Sequence, residues 1–213
     1  MLELPLYETK LPIQNKTIEF NPLIVKEEKI IAAAKDTGKK EDSFRTFLKI
    51  LESKINFPVS KLCETDLIHC ILELRKRSIG ETVKVSFICP HSKKSIAIEL
   101  NCDDIKVKGA SKNKQIKDSG YAIKIRVPAK RSNLWSAIEY IETASEKISF
   151  DDISDEQKEE FLDSLPVKIK NTIEENCKDL IHYEHSIEYI SEGITRTLNI
   201  RSAEDFFTLL FVM

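Results

Sequence analysis

Apolar and polar residues alternate along several short stretches of the chain, and this period of two predicts strands. Over residues 2–20 the alternation continues on both sides of a polar Gln14-Asn15-Lys16 turn, which predicts an N-terminal β-hairpin. The same alternation predicts further strands at 82–89, 95–100 and 121–127, and a late hairpin in which 186–191 and 194–200 flank Glu192-Gly193. The pair at 82–100 is joined by a short turn and predicts an antiparallel meander with one buried face.

Apolar residues at the spacing i, i+3, i+4, i+7 predict a cluster of three helices between the hairpin and the meander. Gly38 is expected to end the first of these helices, and Thr65 is expected to cap the third. In the second half, a helix is predicted from Ser132 or Asn133 to Ile141. The other predicted helical segments are 25–35, 42–53, 154–163 and 166–180.

Together these elements predict an α+β fold with an N-terminal β-hairpin, a helical cluster, a central antiparallel meander and a helix-rich second half with a late hairpin. The length of 213 residues suits one domain or two small lobes. The lysine- and serine-rich stretch 108–120 reads as a basic linker or loop. We therefore expect an N-terminal lobe at 1–107 and a helix-rich C-terminal lobe at 121–213, which are either separate or share one core.

The composition excludes several classes of site. Lys and Arg total 33 against 35 Asp and Glu, a net charge of -2 that is not typical of a general nucleic-acid binder or a polybasic membrane protein. The five glycines are spaced too widely for a dinucleotide-binding turn or a phosphate loop. We also expect no signal peptide and no membrane span, since no long apolar run is present. Without an export signal, the five cysteines are expected to be reduced thiols.

Charge is distributed unevenly along the chain. Residues 103–131 carry nine Lys or Arg and three Asp, which is +6, and residues 151–163 carry seven acids and one Lys, which is -6. Two solvated surfaces explain this pattern, and the alternative is a pair of docking surfaces within the molecule or between partners. The basic stretch contains one aromatic residue, Tyr121, so base stacking has little support and no specific nucleic-acid partner is predicted. A nucleic-acid-binding module that uses residues 106–131 remains an alternative function.

Cys89 and His91 are the strongest metal-ligand candidates, because ligands at a hairpin turn can converge on zinc. A structural zinc site needs a second pair of ligands, and the spacing of the other cysteines does not provide one. His69 and Cys70 do not form a base–nucleophile pair, since neighbours on a helix point about 100° apart. The sequence predicts no catalytic residue, metal or cofactor, and a metal- or cysteine-dependent hydrolase stays as an alternative function.

Two segments are candidate partner-binding surfaces. The apolar C-terminus is either the last element of the core or an exposed tail that inserts into a partner, in which case Phe207, Leu210 and Phe211 make the contact. The charged run 26–29 is either the solvated first turn of a helix, where acids suit the helix dipole, or a polar docking surface.

Three stretches of the sequence resemble a known family: LPLYETKLP at 4–12, IEFNPLIVKEEKIIAAAKDTG at 18–38, and LRKRSIGETVKVSFICP at 74–90. They are similar to the baseplate hub assembly family of T-even-type contractile-tailed bacteriophages. The resemblance centres on 22–29, and it makes candidate partner-binding residues of Pro22, Val25, Lys26, Glu27, Glu28 and Lys29. This chain has Asn21 where the family has an arginine before the proline.

The resemblance implies a non-enzymatic, late viral protein that helps to build the central hub of the tail baseplate. Its expected partners are other hub and hub-assembly proteins. Its expected location is the host cytoplasm during assembly, and the tail baseplate of the virion if the protein is retained. The resemblance supplies no catalytic residues.

Overall fold

The computed structural model describes residues 3–36, 40–128 and 134–212. Within these ranges it contains 12 strands and six helices, which confirms the predicted α+β class. The strands are β1 (Tyr7–Lys10), β2 (Thr17–Phe20), β3 (Thr82–Ile88), β4 (Ser95–Asn101), β5 (Val107–Lys108), β6 (Asn113–Asp118), β7 (Tyr121–Arg126), β8 (Ile138–Glu142), β9 (Lys147–Ser149), β10 (His182–Tyr183), β11 (His185–Ser191) and β12 (Ile194–Ile200). The helices are α1 (Val25–Asp36), α2 (Lys40–Lys54), α3 (Glu64–Ser78), α4 (Asp155–Ser164), α5 (Val167–Cys177) and α6 (Ala203–Phe207), and a π-helical turn, Thr208–Val212, follows α6. No helix in these ranges is long and apolar enough to cross a membrane.

Backbone contacts divide the described chain into two units. The first unit contains the residues up to Lys106 together with those from Tyr183 onward, and the second contains Val107–His182. This division differs from the predicted lobes, which placed all residues after 120 in one C-terminal lobe. The late hairpin and α6 belong with the N-terminal helices because Phe206 and Phe207 are buried in the same core cluster as the apolar faces of α2 and α3.

The N-terminal hairpin and the first two helices follow the predicted pattern. Strands β1 and β2 are antiparallel with Tyr7 opposite Phe20, and Asn15 takes a φ of 58° in the turn region between them. Helix α1 begins at the predicted residue, and α2 begins two residues before its predicted start and buries Phe47. Gly38, the predicted end of the first helix, lies outside the described residues.

Helix α3 begins earlier than predicted. The expected N-cap, Thr65, lies inside the first turn, and the cap is two residues before it. Tertiary contacts explain the difference, because two buried carboxylates of this turn bind distant backbone groups. Glu64 Oε1 accepts a hydrogen bond from the backbone N of Ala203 at 3.2 Å, and Asp66 Oδ1 accepts one from that of Ile13 at 2.8 Å.

The hairpins β3–β4 and β11–β12 confirm the predicted meander and late hairpin, and they contact each other through side chains. The rings of Phe87 and Tyr189 meet edge to face with their centroids 5.1 Å apart. Tyr189 Oη lies 3.6 Å from Cys89 Sγ, and the hydroxyl oxygens of Ser191 and Ser92 are 2.8 Å apart. Hydrogen bonds from Ser191 and Ser92, with a smaller one from Tyr189, lower the pKa of the Cys89 thiol to about 5.

The C-terminal segment lies in the core, which is the first of the two predicted alternatives. Helix α6 begins with a capping box formed by Ser202 and Asp205. Phe207 is 1% exposed, and its ring centroid lies 4.7 Å from that of Phe47 on α2. Leu210, in the turn that follows, is also buried.

The second unit is built on an antiparallel sheet with the strand order β6-β7-β8-β9. Ile123 on β7 pairs with Ile116 on β6 and with Ile141 on β8, and all three are buried. Helix α5 packs on β6 and β7 and buries Ile169 and Ile173, which lie one turn apart. Helices α4 and α5 confirm the two helical segments predicted here.

The helix predicted from Ser132 or Asn133 to Ile141 is present only as a short 3-10 helix, Leu134–Ala137, and it is wrong from Ile138 onward, where β8 forms instead. The two predicted starting residues lie outside the described chain. Ile138 and Ile141 have the spacing of one helix face, and both are buried. In the strand they are both buried because the register between β7 and β8 shifts next to Ile125. Such a bulge inserts one residue, so two positions three apart can face the same side.

The predicted linker 108–120 is a folded part of the second unit. It contains β6, whose Ile116 is buried in the sheet. Gly109 has a φ of 85°, and a Cβ at this position would overlap the backbone carbonyl of Leu180. The many lysines and serines of 108–120 therefore reflect a strand at the protein surface, and the segment is not a connection between two lobes.

Phe207→Ala should destabilise the protein by about 3–5 kcal/mol, because it removes a large side chain from the core and leaves a cavity. Urea unfolding followed by circular dichroism measures this change. Ile190→Ala is the matched control, since Ile190 is 72% exposed on β11 and should change stability by less than about 1 kcal/mol. An unfolding midpoint for Phe207→Ala equal to that of the wild type would contradict the placement of the C-terminus in the core.

The Cys89 thiol should make stability depend on pH. Its pKa is about 5 in the folded protein and about 8.5 in an unfolded chain, so folding favours the thiolate. The resulting stabilisation is complete above the unfolded pKa, decreases as the pH falls below about 8.5, and is lost below about 5.

The free energies of unfolding of the wild type and of Cys89→Ser, measured under reducing conditions at about pH 9, 7 and 5, should therefore converge as the pH falls. Cys102→Ser is the control, because burial raises the pKa of the Cys102 thiol and its ionisation does not favour folding. If the free energies of unfolding of the wild type and Cys89→Ser differ by the same amount at all three pH values, Cys89 is not a thiolate in the folded protein.

Candidate functional site

A groove opens on the first unit between α1, the end of α3, the start of β3 and the terminal π-helical turn. Its volume is about 240 Å³, several times the roughly 30 Å³ that one water molecule occupies in the liquid. We call it the Arg75 groove, after the buried cation in its lining. The lining residues are Glu28, Ile31, Ala32, Arg75, Ile79, Val83, Lys84, Leu210 and Phe211.

Helix α1 forms one wall of the groove. Its lining residues include Glu28 and Ile31, which share one face of the helix because they are three positions apart. The start of the helix is fixed by Glu27: its Oε2 accepts a hydrogen bond from the backbone N of Ile24 at 2.9 Å, and its Oε1 lies 2.7 Å from Lys54 Nζ. The two adjacent glutamates therefore differ in role, since Glu27 anchors the helix and Glu28 lines the groove.

Arg75 reaches the groove from α3, and within the described residues it donates to backbone carbonyls. Its Nε donates to the oxygen of Leu210 at 3.0 Å, its Nη1 to that of Gly80 at 2.9 Å and its Nη2 to that of Thr82 at 3.4 Å. Burial lowers the pKa of the guanidinium below its usual value, and the nearby carboxylate of Glu28 partly opposes that shift. An arginine side chain stays charged under these conditions, so the groove contains a buried cation.

The mouth of the groove combines an apolar and a cationic side chain. Ile79, just after α3, is 48% exposed, and Lys84 is exposed on β3 opposite Glu99 in the strand register. Behind them, Val83 and Leu210 are buried. Two cations and one carboxylate are therefore set among aliphatic walls, an arrangement suited to binding a side chain from another protein.

The structure brings together three of the nine partner-binding residues proposed from the sequence. Glu28, Leu210 and Phe211 come from opposite ends of the chain and line the same groove. Phe207 lies in the core, and Pro22 is buried before the start of α1.

The remaining four proposed residues lie elsewhere on α1. Val25, Lys26 and Lys29 are exposed and do not belong to the groove lining. Glu27 is engaged in the helix-anchoring contacts described above. The charged run 26–29 is thus divided between solvated side chains, a structural ion pair and one groove residue.

Sequence reasoning did not propose the other six lining residues as partner-binding residues: Ile31, Ala32, Arg75, Ile79, Val83 and Lys84. Arg75 lies beside Lys76 and Arg77 in the last turn of α3, where the helix dipole favours cations, so its charge alone does not distinguish it as a buried residue. A signal for its burial was nevertheless present, because it lies four residues after Ile71 and four before Ile79, on the apolar face of α3.

The predicted metal candidates, Cys89 and His91, are placed differently. Cys89 is fully buried between the hairpins, and His91 is exposed at the β3–β4 turn. Among residues 3–36, 40–128 and 134–212, no group of three His, Cys, Asp or Glu side chains is placed to hold a metal ion.

The oppositely charged stretches meet inside the second unit. Lys124 Nζ lies 3.1 Å from Glu139 Oε1, and Arg126 forms an ion pair with Asp151, which belongs to the acidic stretch. Part of the basic charge of 103–131 is therefore neutralised within the molecule, in line with one of the predicted alternatives.

Comparison with known proteins gives one finding. A model of the family described as "T4 bacteriophage base plate protein" matches residues 4–208. No curated protein sequence and no solved structure matches the chain. The matched range includes α1, α3 and β3, and it ends two residues before Leu210. Because the match covers nearly the whole chain, this protein belongs to the T4 bacteriophage base plate protein family.

Proposed function

We propose that this chain is a non-enzymatic interaction protein that helps to assemble the central hub of the phage tail baseplate, and that a partner baseplate protein binds in the Arg75 groove. Family membership supports a baseplate role, and the three sequence stretches that resemble hub assembly proteins support the hub in particular. The observation that carries the proposal is the groove itself, whose lining combines the partly exposed side chain of Ile79 with buried aliphatic residues and a buried cation.

The residues that line the groove explain how binding of a partner side chain can be favourable. A partner side chain that covers Ile79 and Phe211 removes apolar surface from water, and full burial of one large apolar side chain is worth about 1.5–3 kcal/mol. Side-chain ordering and lost translational freedom offset much of this gain, so a single groove gives modest affinity. Modest affinity suits a protein that holds partners while an assembly grows.

The hub assembly role places the chain in the host cytoplasm while the baseplate is being built. Two outcomes are open after that step: the protein stays in the virion as a hub subunit, or it leaves as a chaperone. Both outcomes use the same groove, so they differ in the fate of the protein and not in how it binds.

Tagged protein recovered from phage-infected cells should carry baseplate hub proteins, and Ile79→Asp should reduce their recovery at least about tenfold. The reason is that a carboxylate at the mouth of the groove must be desolvated against an apolar partner surface. Quantitative mass spectrometry of the recovered complexes, beside purified virions, makes the measurement. The tagged protein in virions identifies a subunit, and its absence from them identifies a chaperone.

Ile190→Asp is the matched control, because Ile190 is equally apolar, more exposed and absent from the groove lining. This variant should recover hub proteins at the wild-type level, and urea unfolding should show that both variants fold. Equal recovery by the wild type and Ile79→Asp would rule out the groove as the binding site, and wild-type complexes without hub proteins would rule out the hub function.

A further inference from the structure

The charges of the Arg75 groove define its occupant more closely, an inference that rests on the proposed function. We propose that the groove binds a segment of a partner baseplate protein in which an aliphatic side chain stands next to an aspartate or glutamate. The aliphatic side chain enters between α1 and α3, and the carboxylate faces Arg75 and Lys84.

The first argument is that the buried guanidinium of Arg75 is bonded to backbone carbonyls and not to a carboxylate. A guanidinium has five N–H groups, and three of those of Arg75 donate to the backbone carbonyls of Leu210, Gly80 and Thr82. Within the described chain Arg75 forms no ion pair, although it is buried. The carboxylate of Glu28 is nearby but forms no ion pair with Arg75. A carboxylate from a partner can therefore still accept hydrogen bonds from the N–H groups that remain, which offsets the desolvation of the buried cation.

The second argument is the net charge of the lining. Arg75 and Lys84 contribute two positive charges and Glu28 one negative charge, so the lining is positive by one. Lys84 faces Glu99 across the strands without an ion pair in the described chain, which leaves its ammonium group available at the mouth. An acidic partner is attracted by this charge, and a basic one is repelled.

The third argument is the nature of the walls. Ile31, Ile79 and Val83 are branched aliphatic residues, and the groove volume of about 240 Å³ holds a few side-chain groups and not a whole helix. The carboxylate alone leaves these walls uncovered, and an aliphatic side chain alone leaves Arg75 without an ion-pair partner. The two groups are therefore needed side by side on the partner.

Four synthetic peptides test this chemistry on the full-length, isotope-labelled protein by NMR titration: acetyl-Ala-Leu-Glu-Ala-amide, acetyl-Ala-Glu-Leu-Ala-amide, and variants of the better binder with glutamine for glutamate or alanine for leucine. We expect one of the acidic peptides to shift the backbone signals of Ile79, Lys84 and Ile31. The glutamine and alanine variants should each bind about tenfold more weakly, since each lacks one of the two recognised groups. Added salt should weaken the acidic peptide more than the glutamine one.

Lys84→Gln should bring the affinities of the acidic and glutamine peptides together, and Lys94→Gln, an equal change of charge on an exposed lysine in the turn of the same hairpin, should not. Equal binding of the acidic and glutamine peptides, or no shift at the groove residues with either acidic peptide, overturns the inference. If hub proteins are nevertheless lost with Ile79→Asp in infected cells, the proposed function stands and only the acidic chemistry of the partner is wrong.

Discussion

The guanidinium of Arg75 joins the end of α3 and the nearby entry to β3 to the terminal π-helical turn, which is distant in the sequence. It leaves the apolar face of α3 and donates to the carbonyl of Leu210, 135 positions away, and to those of Gly80 and Thr82 at the entry to β3. The Leu210 carbonyl lies in the last turn of the chain, where helical carbonyls lack an intrahelical donor. Without this side chain, the terminal turn loses a buried hydrogen bond, and the entry to β3 loses two partly buried ones. The same segments form most of the groove lining. The hydrogen bonds of Arg75 therefore stabilise the fold of the first unit and also position the residues of the candidate binding site.

The rest of the first unit supports this arrangement. The phenylalanines of α6 and the terminal turn pack on α2, where the ring centroids of Phe47 and Phe211 are 5.2 Å apart. Glu64 fixes the start of α6 from the first turn of α3, and Glu27 fixes the start of α1 through Lys54. Helix α1 itself buries little, since Ile31 is its one fully buried residue among those whose side chains are described. A helix that is anchored at its start by Glu27 and buries one residue leaves much of its described surface available to a partner.

Elements specified by local pattern were predictable, and features specified by distant contacts were not. The hairpins around Asn15 and Gly193 and the helices α1, α2, α4 and α5 follow from periodicity and turn residues within a few positions. The strand β8 was mistaken for a helix because a bulge gives Ile138 and Ile141 helical spacing in an extended segment. The groove could not be predicted as a whole, because its lining comes from four segments between residues 28 and 211 that only the folded chain brings together. Glu28, Leu210 and Phe211 were nevertheless proposed individually as partner-binding residues.

The central claim is that the protein meets its baseplate partner at the Arg75 groove. Photocrosslinking in infected cells tests it most directly, with a photoreactive phenylalanine derivative placed at position 79 in one version of the protein and at position 190 in another. The account predicts that illumination joins the version labelled at 79 to another baseplate protein, whereas the version labelled at 190 gives little of that product. Crosslinks to baseplate proteins from position 190 with none from position 79 would contradict the account and place the binding surface on the late hairpin.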